Sequence, residues 1–388
     1  MFKSDVKKLE ELGAAVTTRE IAQQPDLWMD TVEIYKDNKE AIDEFLQRAK
    51  SLDSNAKTHV VFTGAGTSAY VGDTVVPYLF RCGMTDFEYK AIPTTDIVSA
   101  PLDFLDPDTP VVLVSFARSG NSPESLAAVK RAGQVVDNIL YLNITCAPEG
   151  KLALQAKDRN DSLTLLIPRA NDQGFAMTGS YSCMELLSTL IFDLSSLENK
   201  ESWVETACEM GRQVIEGEDD ILDVLDCDFE RVTYLGSGCF GAMTREAQLK
   251  ILELTAGKIA TNYDTSMGYR HGPKSFVNEK SLVLDFVSND PYTRQYDLDI
   301  LEEIANDDIA LHTVAIAQQG KTNFEGESLC FEGYDELPEA YLILPFVMIA
   351  QTISLIASIK VGNTPDTPSA NGTVNRVVKG VTIHEFKY

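Results

Sequence analysis

Two short loops combine glycine with side-chain hydroxyls, a pairing that can bind an anion. One follows the apolar segment 59–63 and the other follows the apolar segment 111–116. Backbone N–H groups at the start of a helix, with hydroxyls and an arginine beside them, suit a single phosphate monoester. Each loop alone could be an ordinary tight turn, because glycine suits such bends, but their succession at two strand ends favours a phosphate site. The candidate phosphate-binding residues are Gly66, Thr67, Ser68, Arg118, Ser119 and Ser122.

A second group of side chains could transfer protons. Glu246, Lys250 and Glu253 stand at i, i+4 and i+7, and therefore on one face of a predicted helix. From spacing alone, the simplest interpretation is a solvated stripe with a Glu–Lys pair. The alternative is a carboxylate beside a lysine that acts as a base with a tuned pKa.

His271 lies in a short basic segment, 267–274, of an acidic chain. Because Gly272 and Pro273 follow it, we predict a loop position rather than a place on an apolar face. A histidine on a loop is available for acid–base chemistry near neutral pH. A plain surface turn fits this segment equally well.

The net charge excludes several classes of function. The 388 residues include 59 Asp and Glu against 33 Lys and Arg, which gives a formal charge of −26. Nucleic acids and anionic membrane surfaces repel such a chain. No lysine follows the glycines as it does in a P-loop, and the dinucleotide-binding fingerprint is incomplete after Gly64 and Gly66. We therefore expect a small ligand with one phosphate, and neither nucleic acid nor membrane as a partner.

The seven cysteines and four histidines are scattered, without a C-x-x-C pair. This pattern argues against a disulfide framework and against a metal centre. The N-terminus lacks the apolar core of a signal peptide, so we expect reduced thiols and a cytoplasmic protein. The uncharged segment 340–359 is long enough to cross a bilayer, but its polar residues and Pro345 favour a buried core helix.

The elements that would position these groups are strands alternating with helices, a pattern that predicts parallel sheets flanked by helices. The loop that begins at Gly64 returns at Gly236, 172 residues later, so the α/β unit is repeated. In the helical N-terminal arm, Thr17 and Glu20 have the spacing of a capping box. We predict an α/β protein with an arm at 1–50, two related domains at 51–205 and 215–362, and a tail at 363–388.

Together these motifs resemble the double SIS (sugar isomerase) domain proteins, over about 330 residues from position 55 to the end. The residue sequence of segment 115–125 is the most specific part of this resemblance. It is similar to the galactosamine-6-phosphate deaminase branch, which is often labelled tagatose-6-phosphate ketose/aldose isomerase. The resemblance implies two tandem SIS domains. The segments that carry it are 66–68, 115–125, 255–258, 270–273 and 374–378.

The related isomerase half of glucosamine-6-phosphate synthase implies a role for each matching residue. Its catalytic carboxylate and lysine match Glu253 and Lys250. Its ring-opening histidine, which a neighbouring subunit contributes, matches His271. Its C-terminal lysine matches Lys379, which implies that the tail at 363–388 contributes to the active site. The implied partners are a phosphosugar and a second copy of the chain, in a homodimer or larger assembly, with no metal or cofactor. The implied sugar-binding residues are Ala176 and Thr178.

The implied reaction is a proton transfer between C1 and C2 of an open-chain sugar phosphate. His271 would assist ring opening, and Glu253 would take the C2 proton and return it at C1 beside Lys250. With a 2-amino sugar, the imine product is hydrolysed and ammonia is released. The synthase draws ammonia from a glutaminase domain that has no match here, so we expect the degradative, deaminating direction.

The expected reaction is therefore the conversion of galactosamine 6-phosphate to tagatose 6-phosphate and ammonia. Two alternatives stay open: an aldose–ketose isomerase that handles no amine, and a non-catalytic sugar-phosphate sensor. The presence of all four candidate catalytic residues disfavours the sensor. The choice between galacto and gluco substrates also stays open, because pocket geometry reads the one epimeric hydroxyl.

Overall fold

The computed structural model describes residues 1–53, 56–320, 324–378 and 380–387. Lys379, one of the candidate catalytic residues, lies outside the described residues. Within the described ranges, strands and helices alternate and form two five-stranded parallel sheets. The predicted α/β fold, two parallel sheets flanked by helices with a helical N-terminal arm, is confirmed.

The two sheets have the same topology. The strands of the first sheet are β1 (Thr58–Thr63), β2 (Phe87–Ala91), β3 (Val111–Ala117), β4 (Ile139–Thr145) and β5 (Ser162–Leu166). Those of the second are β6 (Arg231–Gly236), β7 (Ala260–Thr265), β8 (Ser281–Phe286), β9 (His312–Ala317) and β10 (Glu327–Cys330). Their spatial orders are β2-β1-β3-β4-β5 and β7-β6-β8-β9-β10. The repeat predicted from the glycine loops is therefore present in the fold.

Strand β3 shows why these segments form buried parallel strands. All seven of its residues are buried, and such a continuous apolar run suits a strand that helices cover on both faces. β3 pairs with β1, and Thr63 at the end of β1 stands opposite Ser115. The loops that follow these two strands therefore leave the sheet at the same edge.

Among the described residues, most helices lie between successive strands, while four precede β1 and one follows β10. In addition to them, short 3-10 turns span Pro168–Ala170, Gly268–His271 and Pro273–Phe276. The helices of the described residues are α1 (Val6–Glu11), α2 (Ala15–Ala22), α3 (Gln24–Asp37), α4 (Lys39–Lys50), α5 (Thr67–Cys82), α6 (Thr94–Ser99), α7 (Pro101–Phe104), α8 (Pro123–Val135), α9 (Lys151–Ala156), α10 (Gly179–Phe192), α11 (Leu197–Glu216), α12 (Glu218–Leu225), α13 (Gly238–Leu254), α14 (Thr293–Asn306) and α15 (Glu339–Lys360).

The chain divides into two compact units, each built around one sheet. We call them the first-sheet unit and the second-sheet unit. The domain boundaries that we expected from the sequence stay a prediction. The first-sheet unit comprises Leu27–Asp172, Gly179–Leu197 and Val374–Tyr388, and the second-sheet unit comprises Met1–Asp26, Gln173–Thr178 and Glu198–Thr373.

Helix α2 of the N-terminal arm begins differently from the prediction. Thr17 and Glu20 lie inside the helix rather than at its cap, so the capping-box interpretation is wrong. The carboxylate of Asp366 accepts hydrogen bonds from the backbone N–H groups of Val16 (3.0 Å) and Thr17 (2.8 Å), and from the Thr17 hydroxyl (2.7 Å). A residue 350 positions away therefore caps the helix, and local sequence carries no signal for it.

The apolar segment near the C-terminus forms helix α15, and nearly all of its residues are buried. By length and composition this helix could cross a membrane, but its burial is that of the core helix that we predicted. Beyond it, residues 363–378 and 380–387 contain neither helix nor strand.

Candidate functional site

The first glycine loop turns the chain from β1 into α5. Gly66 has a φ of +57°, a left-handed conformation that favours glycine. A Cβ on Gly64 would lie 2.4 Å from the backbone carbonyl of Ser68, so the loop also requires glycine for this close approach. Thr67 and Ser68 form the first turn of α5, at the end of the helix where the backbone dipole favours an anion.

The second glycine loop follows β3 at the same edge of the first sheet. Gly120 has a φ of +63°, and its turn is closed by the Asn121 N–H, which donates to the Ser119 hydroxyl at 3.3 Å. Ser122 directly precedes α8, and its hydroxyl shares a hydrogen bond of 2.7 Å with the hydroxyl of Ser125. The structure thus brings the hydroxyls of both loops to one sheet edge.

Arg118 differs from the other candidate phosphate ligands because it also holds the C-terminal tail. Its side chain is buried, and Nη2 donates a hydrogen bond of 2.9 Å to the carbonyl of Arg376. The Arg376 guanidinium in turn donates to the carbonyl of Asp172. One branch of the Arg118 guanidinium is therefore committed to the tail. Arg376, the tail residue that Arg118 holds, lies three positions before Lys379 in the sequence.

The candidate proton-transfer residues on α13 form a buried cluster. Nζ of Lys250 lies 2.6 Å from Oε2 of Glu253 and 3.4 Å from Oε1 of Glu246. The side chains of Lys250 and Glu246 are 1% and 0% exposed. The interpretation as a solvated stripe is therefore wrong, because two of its three side chains are buried inside the protein. Spacing alone cannot distinguish the two environments.

Burial separates the roles that these three residues can take. Burial alone would lower the pKa of Lys250, but the charges of Glu246 and Glu253 outweigh it and raise this pKa above its usual value. Lys250 therefore stays an ammonium group at neutral pH and cannot serve as the base. The side chain of Glu253 is 23% exposed, so Glu253 is the member of the cluster that a ligand can reach. The arrangement suits a carboxylate base beside a fixed positive charge.

His271 ends the 3-10 turn Gly268–His271 and is exposed, as the loop prediction requires. Its basic neighbours are engaged elsewhere: Arg270 Nε lies 2.6 Å and Lys274 Nζ 2.5 Å from the carboxylate of Glu303. Lys274 also pairs with Asp307 at 2.5 Å. Within the described residues, His271 forms no ion pair, so the structure does not join its ring to Glu253 or Lys250.

The predicted sugar-binding residues lie in segment 173–178 of the second-sheet unit. Ala176 and Thr178 are both buried. The carboxylate of Glu20 accepts hydrogen bonds from the backbone N–H groups of Gln173 and Gly174. Glu20 is a residue that the sequence reasoning placed in a cap instead, and no short-range pattern links it to this segment.

The matching edge of the second sheet is built differently from the first. Here Asp297 of α14 accepts hydrogen bonds from the hydroxyls of Ser237 (2.5 Å) and Ser266 (2.6 Å), and from the N–H of Ser288 (2.9 Å). Ser266 also lies 3.1 Å from Oδ2 of Asp285. Burial raises the pKa of Asp285 well above its usual value, and the nearby Asp297 adds to this effect. A hydroxyl has one hydrogen, so a proton on Asp285 completes the contacts. This carboxyl cluster was not identified from the sequence.

The chain resembles known proteins in both sequence and fold. The SIS domain family matches residues 54–192. D-galactosamine-6-phosphate deaminase AgaS of Escherichia coli is 40% identical over 375 residues, which cover 96% of each chain. A solved structure of a tagatose-6-phosphate ketose/aldose isomerase from Escherichia coli is 36% identical, with a TM-score of 0.86 over 96% of this chain and 97% of that one. A structure from Clostridium novyi NT, provisionally described by the same activity, is 41% identical with a TM-score of 0.93 over 100% and 99%.

Proposed function

Because the chain belongs to the family of SIS domain proteins that includes D-galactosamine-6-phosphate deaminase AgaS, we propose that it converts galactosamine 6-phosphate to tagatose 6-phosphate and ammonia. The observation that carries the proposal is the ion pair on α13 between the buried Lys250 and the partly exposed Glu253, in a chain that matches AgaS over 96% of its length. A sensor would gain nothing from a lysine that is buried and charged beside a partly exposed carboxylate.

Binding of the phosphate is assigned to the two glycine loops of the first sheet. Their hydroxyls lie at one edge and α5 begins there, which supports an anion site without a metal ion. Arg118 adds positive charge behind the second loop while it holds the tail. The proposed phosphate-binding residues are Gly66, Thr67, Ser68, Arg118, Ser119 and Ser122.

Proton transfer is assigned to Glu253. It removes the C2 proton of the open-chain amino aldose, and the electron pair moves to O1, where the field of the buried Lys250 ammonium group stabilises the developing charge. O1 then takes up a proton and Glu253 returns its proton at C1. The amino nitrogen loses a proton as its electron pair forms the C2=N bond of a 2-imine. Water then adds at C2 and ammonia leaves, which produces the ketose in a hydrolytic deamination. Lys379 is proposed to contribute from the tail, and Ala176 and Thr178 to contact the sugar.

Ring opening is assigned to His271. We propose that the chain acts as a homodimer or larger assembly, because the related synthase takes this histidine from a neighbouring subunit and His271 is exposed here. We also propose a cytoplasmic protein that binds neither nucleic acid nor membrane, since its charge of −26 repels polyanions.

A second candidate is a plain aldose–ketose isomerase, and the description of the solved relatives as tagatose-6-phosphate ketose/aldose isomerases favours it. The two candidates share the proton transfer and differ only in whether an amine leaves. They can be separated by the substrate.

The deciding experiment supplies galactosamine 6-phosphate, glucosamine 6-phosphate and the amine-free galactose 6-phosphate separately, and measures both ammonia and ketose phosphate. We expect ammonia from galactosamine 6-phosphate. Ketose from galactose 6-phosphate, without ammonia from either amino sugar, would establish the isomerase instead. Glu253→Gln should lower the rate at least about 100-fold, because it removes the base. The matched control is Glu302→Gln on the exposed side of α14, which should leave the rate unchanged.

A further inference from the structure

Segment 173–178, which holds the proposed sugar contacts, is anchored from the N-terminal arm. Glu20 is 3% exposed, and its Oε1 accepts the N–H of Gln173 at 2.5 Å. The N–H of Gly174 lies 3.3 Å from the same oxygen and 3.1 Å from Oε2. Two consecutive backbone donors therefore converge on one buried carboxylate, which sets the direction in which the segment leaves position 172.

The absence of a side chain at position 174 is part of this contact. A Cβ on Gly174 would lie 2.9 Å from Oε2 of Glu20 and 3.5 Å from Cγ1 of Val16. The backbone of the segment therefore packs directly on α2. Any larger residue at this position would push the segment away from the helix or displace the carboxylate.

The far end of the segment is held by two glutamines. Nε2 of Gln351 on α15 donates to the carbonyl of Thr178 at 3.4 Å, while its Oε1 accepts from Nε2 of Gln24 at 2.7 Å. Both ends of the segment are thus held within the second-sheet unit. The hydrogen bonds at the Glu20 end are charge-assisted, which is the stronger type.

We propose that Glu20 is a positioning residue that sets the affinity for the sugar part of the substrate by fixing segment 173–178. This inference rests on the proposed function, because that function places sugar contacts at Ala176 and Thr178. Glu20 acts through the backbone of the segment and touches no substrate. The phosphate loops belong to the first-sheet unit, so their affinity for inorganic phosphate should not depend on Glu20.

The test measures binding by calorimetry with the full chain, in a Glu253→Gln background so that the sugar is not consumed. The probes are galactosamine 6-phosphate and inorganic phosphate. We expect Glu20→Ala to weaken phosphosugar binding at least about tenfold and to change phosphate binding less than about twofold. Glu20→Gln keeps Oε1 as a neutral acceptor, so its loss should be smaller, about threefold.

The matched control is Asp366→Ala, which removes three hydrogen bonds from the first turn of the same helix and none from the segment. It should lower the melting temperature as Glu20→Ala does, yet leave both affinities within about twofold. The inference is overturned if Asp366→Ala weakens phosphosugar binding as much as Glu20→Ala, if Glu20→Ala weakens both ligands equally, or if it weakens neither. A parent chain that binds phosphate but no phosphosugar would instead overturn the proposed function, and this inference with it.

Discussion

Glu185, in the middle of α10, offers a quantitative test of the first-sheet unit. Its side chain is fully buried, and Oε1 accepts a hydrogen bond of 3.0 Å from the Thr189 hydroxyl. Oε2 has no hydrogen-bond partner among the described residues. Burial raises the pKa of Glu185 from 4.5 to about 8, although the hydrogen bond from Thr189 opposes this. The folded protein therefore keeps the carboxyl group neutral at pH 7.

The sign of the pH dependence follows from proton binding. Between pH 4.5 and about 8 the folded chain holds a proton that the unfolded chain has released, so stability falls as pH rises. This penalty amounts to about 1 kcal/mol at pH 5 and about 3 kcal/mol at pH 7. Glu185→Gln has the same shape and no charge to lose. Its stability relative to the parent chain should therefore rise by about 2 kcal/mol between pH 5 and pH 7.

The assay is urea unfolding at the two pH values, followed by tryptophan fluorescence. Trp28 belongs to the first-sheet unit, and its Nε1 donates to the Ser182 hydroxyl on α10 at 2.9 Å. Trp203 belongs to the second-sheet unit, so a Trp203→Phe background makes the signal specific to the unit that contains Glu185. In the difference between parent and variant at each pH, the contributions of the other titrating groups to stability cancel. A difference that does not change with pH would show that Glu185 is ionised in the folded chain and would refute the reasoning.

Three further predictions concern the loops, the tail and the second sheet. Gly66→Ala should destabilise the first-sheet unit by about 1 kcal/mol, because alanine is strained at positive φ, and it should also weaken phosphate binding. Urea unfolding measures the first effect and calorimetry the second. An unchanged phosphate affinity would contradict the assignment of this loop to the phosphate. Arg118→Gln should raise the rate of proteolysis within 374–378 about fivefold, because the tail loses the hydrogen bond to the Arg376 carbonyl; a cleavage rate equal to that of the parent chain would contradict this. Burial holds the pKa of Asp285 high, so above pH 4 the folded chain keeps a proton that the unfolded chain releases, and stability falls as pH rises. Asp285→Asn should make this fall in the stability of the second-sheet unit smaller. Unfolding curves followed by Trp203 fluorescence that depend on pH in the same way for variant and parent chain would contradict this.

The sequence was sufficient for the sheets and the glycine loops because their determinants are local. An apolar run such as 111–116 predicts the bounds of β3 within one residue. Gly66 indicates a tight turn, because glycine favours the backbone conformation of such turns. The sequence was insufficient for Lys250, because a stripe on one helix face has the same spacing whether water or the rest of the protein covers it. It was also insufficient for Glu20 and Asp366, because their partners lie 153 and 350 positions away. Only the folded chain shows which polar groups meet.

The carboxyl group of Asp297 limits the number of phosphates that one chain should bind. A protein assembled from two copies of one α/β unit could bind two phosphates, one at each sheet edge. In the second copy, however, the hydroxyls of Ser237 and Ser266 and the N–H of Ser288 already donate hydrogen bonds to the carboxylate of Asp297. We therefore expect a stoichiometry of one phosphate per chain. Under the proposed function, the first copy binds the phosphate, and in the second copy the carboxylate of Asp297 occupies the donors of the matching edge.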